Sequence, residues 1–134
     1  MEGQLHEAAL VARAVVGAPT ALAVSHAPTI GSLYRATSAA FHKVPLIAIS
    51  QSGRSPDLLA AAQEASARGA LVIAVVNDEA SPLAELAEIV IPVHAGAETS
   101  VAATKSFVCT LFALAHLAAE WSEDSALLAA LQGC

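Results

Sequence analysis

A chain of 134 residues supports one domain with a real core, and its make-up (56 % hydrophobic, 13 % charged) suits a fold that hides much of its surface against a second copy or domain. A formal net charge of −6 with no basic run excludes nucleic acid and anionic membrane as natural partners, so any phosphate must be held locally. No apolar run reaches membrane-span length, the start lacks the pattern of a signal peptide, and Cys109 and Cys134 make no disulfide framework, which leaves the cytoplasm as the expected compartment.

In chain order, residues 2–16 read as a helix with Leu5, Ala9, Ala12 and Val16 on one face, stopped by Gly17-Ala18-Pro19. A short strand is expected over 21–24, a turn over 25–29, and a second helix over 30–42 with Leu33 and Ala40 facing inward. Residues 46–49 are apolar without alternation, the pattern of a strand covered on both faces, which is expected to run to Ser50. Ser55-Pro56-Asp57 then supplies an N-cap, a first-turn proline and a carboxylate for a helix running to about Arg68, with Gly69 at its C′ position.

The run 71–76 is β-branched and continuously apolar, hence a central parallel strand. Ser81-Pro82 repeats the cap-plus-proline start for a short helix to about Ala87. Residues 89–93 form a further strand, which Pro92 assigns to a sheet edge. A long helix over 100–121 is apolar on nearly every face, so it must be buried all round or lie at a subunit contact. Ser122 is expected to cap a last helix ending near Gln132. Alternating strands and helices with short turns predict an α/β fold, a three-layer αβα arrangement around a parallel doubly wound sheet, over residues 1–134 as a single domain.

The stretch Ile49-Ser50-Gln51-Ser52-Gly53-Arg54-Ser55 joins the carboxyl end of a strand to the amino end of a helix. Hydroxyls, free backbone N–H groups and the helix dipole suit a phosphate there, and Gly53 permits close backbone approach or a positive φ. The competing reading is a plain serine-rich cap. The pattern is neither a Walker loop nor a dinucleotide fingerprint, and no lysine lies within it.

The segment Ser50-Gln51-Ser52-Gly53-Arg54-Ser55-Pro56-Asp57 resembles the S-Q-S-G-x-[ST]-x-[DE] signature of sugar isomerase (SIS) domains. Downstream, Ala95-Gly96-Ala97-Glu98-Thr99-Ser100-Val101-Ala102-Ala103-Thr104-Lys105-Ser106-Phe107 is similar to their A-G-x-E-x-x-V-A-x-T-K-x-[FY] segment. The resemblance is strongest over residues 45–131. It points to the isomerase half of glutamine–fructose-6-phosphate aminotransferase and to aminosugar-phosphate deaminase/isomerases. In the N-terminal third the family's glycine-rich first loop has no counterpart at Ser25-His26-Ala27-Pro28-Thr29, so that third is expected to be incomplete or rearranged.

The resemblance implies that Ser50, Gln51, Ser52, Gly53 and Ser55 grip the phosphate of a sugar phosphate such as fructose 6-phosphate or glucosamine 6-phosphate. It also implies that Val101, Ala102 and Ala103 line the sugar, and that no cofactor is needed. Glu98 is the carboxylate suited to proton transfer beside a carbonyl, or else it charges the long helix's start together with Thr99. Lys105 pairs with Glu98 or reaches a phosphate, while His94 is a proton relay or a solvent-facing loop residue. Arg54 either points out or covers the phosphate, and His6, His26, His42 and His116 show no zinc spacing. Family enzymes use two SIS halves and this chain holds one, so a homodimer or a partner SIS half is expected to complete the site. Three functions follow: an aldose–ketose isomerase or aminosugar-phosphate deaminase, a non-catalytic sugar-phosphate module, or a shortened and inactive relative.

Overall fold

Three strands, Pro45–Ser50 (β1), Leu71–Val76 (β2) and Ile89–Pro92 (β3), form a parallel sheet in the order β1-β2-β3 in the computed structural model, which describes residues 45–97 and 104–133. The sequence expectations for residues 2–42, and for an incomplete N-terminal third, lie outside the described residues. Helix α1 (Pro56–Ala67) links β1 to β2, and α2 (Pro82–Leu86) links β2 to β3. Both pack on one sheet face, where Leu46, Ala48, Val72, Ala74 and Val76 meet Leu58, Leu59 and Ala62 of α1 and Leu83 and Ala84 of α2. Successive crossovers of one hand between neighbouring strands require that placement.

Ile73 and Val75 point to the opposite face and are also buried, so β2 is covered on both sides. That explains why its sequence shows no alternation. Leu83, Val72, Val75 and Val76 are fully buried, each contributing about 1.5–3 kcal/mol relative to an exposed position. Alanines at 48, 62, 74 and 84 let helix and sheet approach closely between them.

The local punctuation acts as chemistry demands. Gly69 has φ +82°, and the bonds from Gly69 N–H to Ser66 O (2.9 Å) and from Ala70 N–H to Ala65 O (3.1 Å) close α1 in a Schellman motif. Glu88 seals the amino end of β2: its side chain accepts from Val72 N–H (3.0 Å) while its own N–H donates to Val72 O (3.1 Å). Pro92 ends β3 and donates nothing, and the ladder continues one residue on, where Val93 N–H reaches Val76 O (2.9 Å).

The described residues divide into two compact units, 45–96 and, separately, 97 with 104–133. The second unit holds α3 (Thr104–Trp121) and α4 (Ser125–Gln132). Ser106, Leu114, Ala118 and Ala119 of α3 are buried, whereas Val108, Phe112 and Trp121 are exposed. One expectation is corrected here. Ser122 does not cap α4; its hydroxyl donates to Ala119 O (3.3 Å), and Asp124 is the cap, accepting from Ala126 N–H (3.1 Å) and Leu127 N–H (3.0 Å). Residues 122–124 are needed to terminate α3, with Glu123 at φ +55° as Asp124 N–H bonds back to Ala119 O (3.0 Å), so the new helix can begin only at 125. Among the described residues no helix is long and apolar enough to cross a membrane.

Candidate functional site

The register sets Ser50 beside Val76 and Val76 beside Pro92, so the three strands end level. Their following loops, 51–55, 77–81 and 93–96, therefore emerge along one edge of the sheet, the carboxyl edge where ligands of open α/β sheets are bound. A shallow depression lined by Ser66, Gly69, Leu71 and Glu88 lies at the opposite, amino edge. Its carboxylate is already engaged with Val72 N–H, and nothing there converges on a ligand.

The 51–55 turn curls on itself. Ser50 Oγ accepts from Gly53 N–H (3.0 Å), and Gly53 adopts φ +61°, a conformation open to glycine. Gly53 is buried, and a β-carbon there would overlap the Ser81 side chain, 2.5 Å from its Cβ. Behind the turn, Leu83 N–H donates to Gly53 O and Asn77 N–H donates to Gln51 O, each at 3.2 Å. The start of α2 is thus the mould against which the turn is cast.

Two serines that look alike in sequence behave differently. Both Ser55 and Ser81 precede a proline at a helix start. Ser81 is fully buried and its Oγ accepts from Ala84 N–H (3.3 Å), an ordinary cap. Ser55 stands at the N-cap of α1 with no side-chain capping bond. Ser52 and Gln51 are exposed, and Ser55 is half-buried. Three polar side chains are thereby left uncommitted beside the α1 amino end, where the helix dipole favours an anion.

Arg54 does not face this turn as a free cation. It donates to Asp78 Oδ2 at 2.9 Å. The Arg54 hydrogen bond first, then the Ala80 N–H on Asp78 Oδ1 (3.0 Å), hold the Asp78 carboxyl below the ordinary aspartate range. A carboxyl with a lowered folded pKa contributes stability above its unfolded pKa and loses it as pH falls through the folded value. The pair should therefore persist at neutral pH. Following the Asp78 carboxyl carbon by NMR, we expect a midpoint below that of the unfolded chain, and Arg54→Ala should move it back up.

Asn77, the residue that follows β2, ties the third loop down. Its Nδ2 donates to Gly96 O and its Oδ1 accepts from Ala95 N–H, both at 2.8 Å. His94 sits in that loop at φ +52°, exposed, with Nδ1 3.8 Å from Glu79 Oε1. Glu98, Val101, Ala102 and Ala103 lie outside the described residues. In the second unit Lys105 Nζ donates to Ala97 O at 3.0 Å. Among the described residues no three His, Cys, Asp or Glu side chains gather where they could hold a metal.

A family model described as "SIS domain" matches residues 9–120. The chain belongs to the SIS domain family. The match begins well before the two motifs, so the SIS pattern extends into the N-terminal third. Over 90 residues this SIS chain is 46 % identical to glutamine–fructose-6-phosphate aminotransferase (isomerizing) of Bradyrhizobium diazoefficiens, an alignment covering 66 % of this chain and 15 % of that protein. The enzyme of the same name from Zymomonas mobilis is 49 % identical over 70 residues, covering 52 % and 12 %. The SIS fold superimposes with a TM-score of 0.80 on the crystal structure of a candidate phosphosugar isomerase from Silicibacter pomeroyi, at 40 % identity, covering 99 % of this chain and 40 % of that one. A second structure, from Clostridium difficile, shares the fold at 18 % identity and a TM-score of 0.76.

Proposed function

We propose that this SIS domain, taken as one domain over residues 1–134, binds the phosphate of a sugar phosphate in the 50–55 turn. The observation that carries the reading is the contrast at the two Ser-Pro starts: Ser81 spends its hydroxyl on a cap, and Ser55 does not. A turn that were merely a cap would use it. In the proposed complex the Ser52 and Ser55 hydroxyls and the Gln51 side chain donate to phosphate oxygens, with the Gln51 and Gly53 backbone beside them. Ser50 supports the turn through Gly53 N–H. Hydroxyl and amide donors suit a monoester because each oxygen accepts several bonds, and bonds to a charged group are worth about 1.5–3 kcal/mol each.

The sugar is placed against Val101, Ala102 and Ala103, and Glu98 is the candidate base for an aldose–ketose proton transfer, assignments that rest on the motif alone. Fructose 6-phosphate, which the aminotransferase relatives carry in their name, is the first substrate to try, and glucosamine 6-phosphate follows from the motif resemblance. A homodimer, or a partner SIS half, completes the site in this reading, and the exposed Val108 and Phe112 of α3 are the apolar surface available for it. A cytoplasmic location goes with the same reading. Non-catalytic binding is the second reading, favoured by the uncommitted groups of the described turn, which are hydroxyls and an amide that can hold an anion but do not take a proton from carbon.

Titration calorimetry with fructose 6-phosphate tests the binding, and no heat at millimolar ligand rejects it. Interconversion of the two sugar phosphates and ammonia release then separate the readings. In an active chain Glu98→Gln should lower turnover by about a hundredfold or more, the scale of general acid–base catalysis, with binding kept. Binding without turnover in the parent identifies the module.

A further inference from the structure

We propose that Asn77 is a positioning residue that fixes the spacing between the phosphate turn and the 94–96 loop, and so makes the site select a whole sugar phosphate over bare phosphate, an inference that rests on the sugar-phosphate reading above. Asn77 touches both loops at once. Its backbone N–H holds Gln51 O (3.2 Å), while its side chain holds Ala95 N–H and Gly96 O (2.8 Å each). Ala95 and Gly96 open the second motif, and Gln51 lies inside the first. Gln51 and Ala95 are more than forty residues apart in the chain, and a single residue just after β2 bridges them.

The amide is the group this geometry requires. Asn77 presents a donor and an acceptor side by side to a backbone N–H and C=O one residue apart. An aspartate would keep the bond from Ala95 N–H but set a second anionic oxygen against Gly96 O. An alanine would release both. Neither change touches the bond to Gln51, which comes from the Asn77 main chain. The phosphate turn is therefore braced independently of the side chain, and the two halves of the site can be uncoupled by a single substitution.

The test compares two probes, inorganic phosphate and fructose 6-phosphate, titrated by NMR into the parent, Asn77→Ala and Asn77→Asp, with circular dichroism to show folding. We expect phosphate affinity within about twofold of the parent in both variants. Fructose 6-phosphate affinity should fall about tenfold, the scale of losing one or two neutral hydrogen bonds. A merely structural asparagine would weaken both probes alike. Equal loss for both probes, no loss for either, or unfolding of both variants overturns the inference alone. A parent that binds neither probe overturns the functional reading and this inference with it.

Discussion

Gly53→Ala is expected to lower the stability of the chain by about 3 kcal/mol and to abolish phosphate binding. Two costs combine. A left-handed conformation, here φ +61°, costs a residue with a β-carbon roughly 1–2 kcal/mol. The added methyl also overlaps Ser81, whose side chain is fully buried and is held by its capping bond to Ala84 N–H, and it comes within 3.3 Å of Leu83 Cβ. Overpacking of that kind costs about 1–3 kcal/mol. Neither neighbour is a flexible side-chain end, so relief would have to come from moving α2 against the sheet. Urea unfolding should show a lower midpoint at unchanged slope. Repeating Gly53→Ala in a Ser81→Gly background should return part of the steric cost. A midpoint equal to the parent's would mean that the turn is not wedged against α2.

The second large effect concerns affinity alone. Removing the hydroxyls in a Ser52→Ala, Ser55→Ala double variant should raise the dissociation constant for fructose 6-phosphate by about a hundredfold or more. Each lost bond to a charged oxygen costs about 1.5–3 kcal/mol, and every 1.4 kcal/mol is tenfold. Stability should change by less than about 0.5 kcal/mol, because Ser52 is exposed and Ser55 makes no capping bond. Unchanged affinity in the double variant, measured beside the parent, would remove the serines from the site.

Much of this architecture was readable in advance. The unbroken apolar runs of β1 and β2, the Ser-Pro starts of α1 and α2 and the glycine after α1 all act through neighbours a few residues away, so the local pattern carries them. The first SIS motif and the opening of the second, residues 95–97, follow strands at the carboxyl edge of the sheet, a placement the local pattern also carries. What escaped the local pattern depends on distant partners. The sequence allows Arg54 two orientations, because its partner Asp78 lies 24 residues downstream. The part played by Asn77 depends on main-chain groups 18 and 19 residues away. Ser122 differs: a serine is a good cap, but the Schellman closure of α3 occupies its surroundings and passes the role to Asp124. Likewise nothing in the two Ser-Pro pairs says that only the buried one will cap.

The pairing of Arg54 with Asp78 keeps net charge off the turn. A pocket built from clustered lysines repels itself when vacant and needs a counterion to hold its shape. Here the turn's guanidinium is balanced by a neighbouring carboxylate, and its remaining donors are dipoles. The turn is therefore electrostatically self-contained, and its shape is set by its own ion pair and backbone bonds.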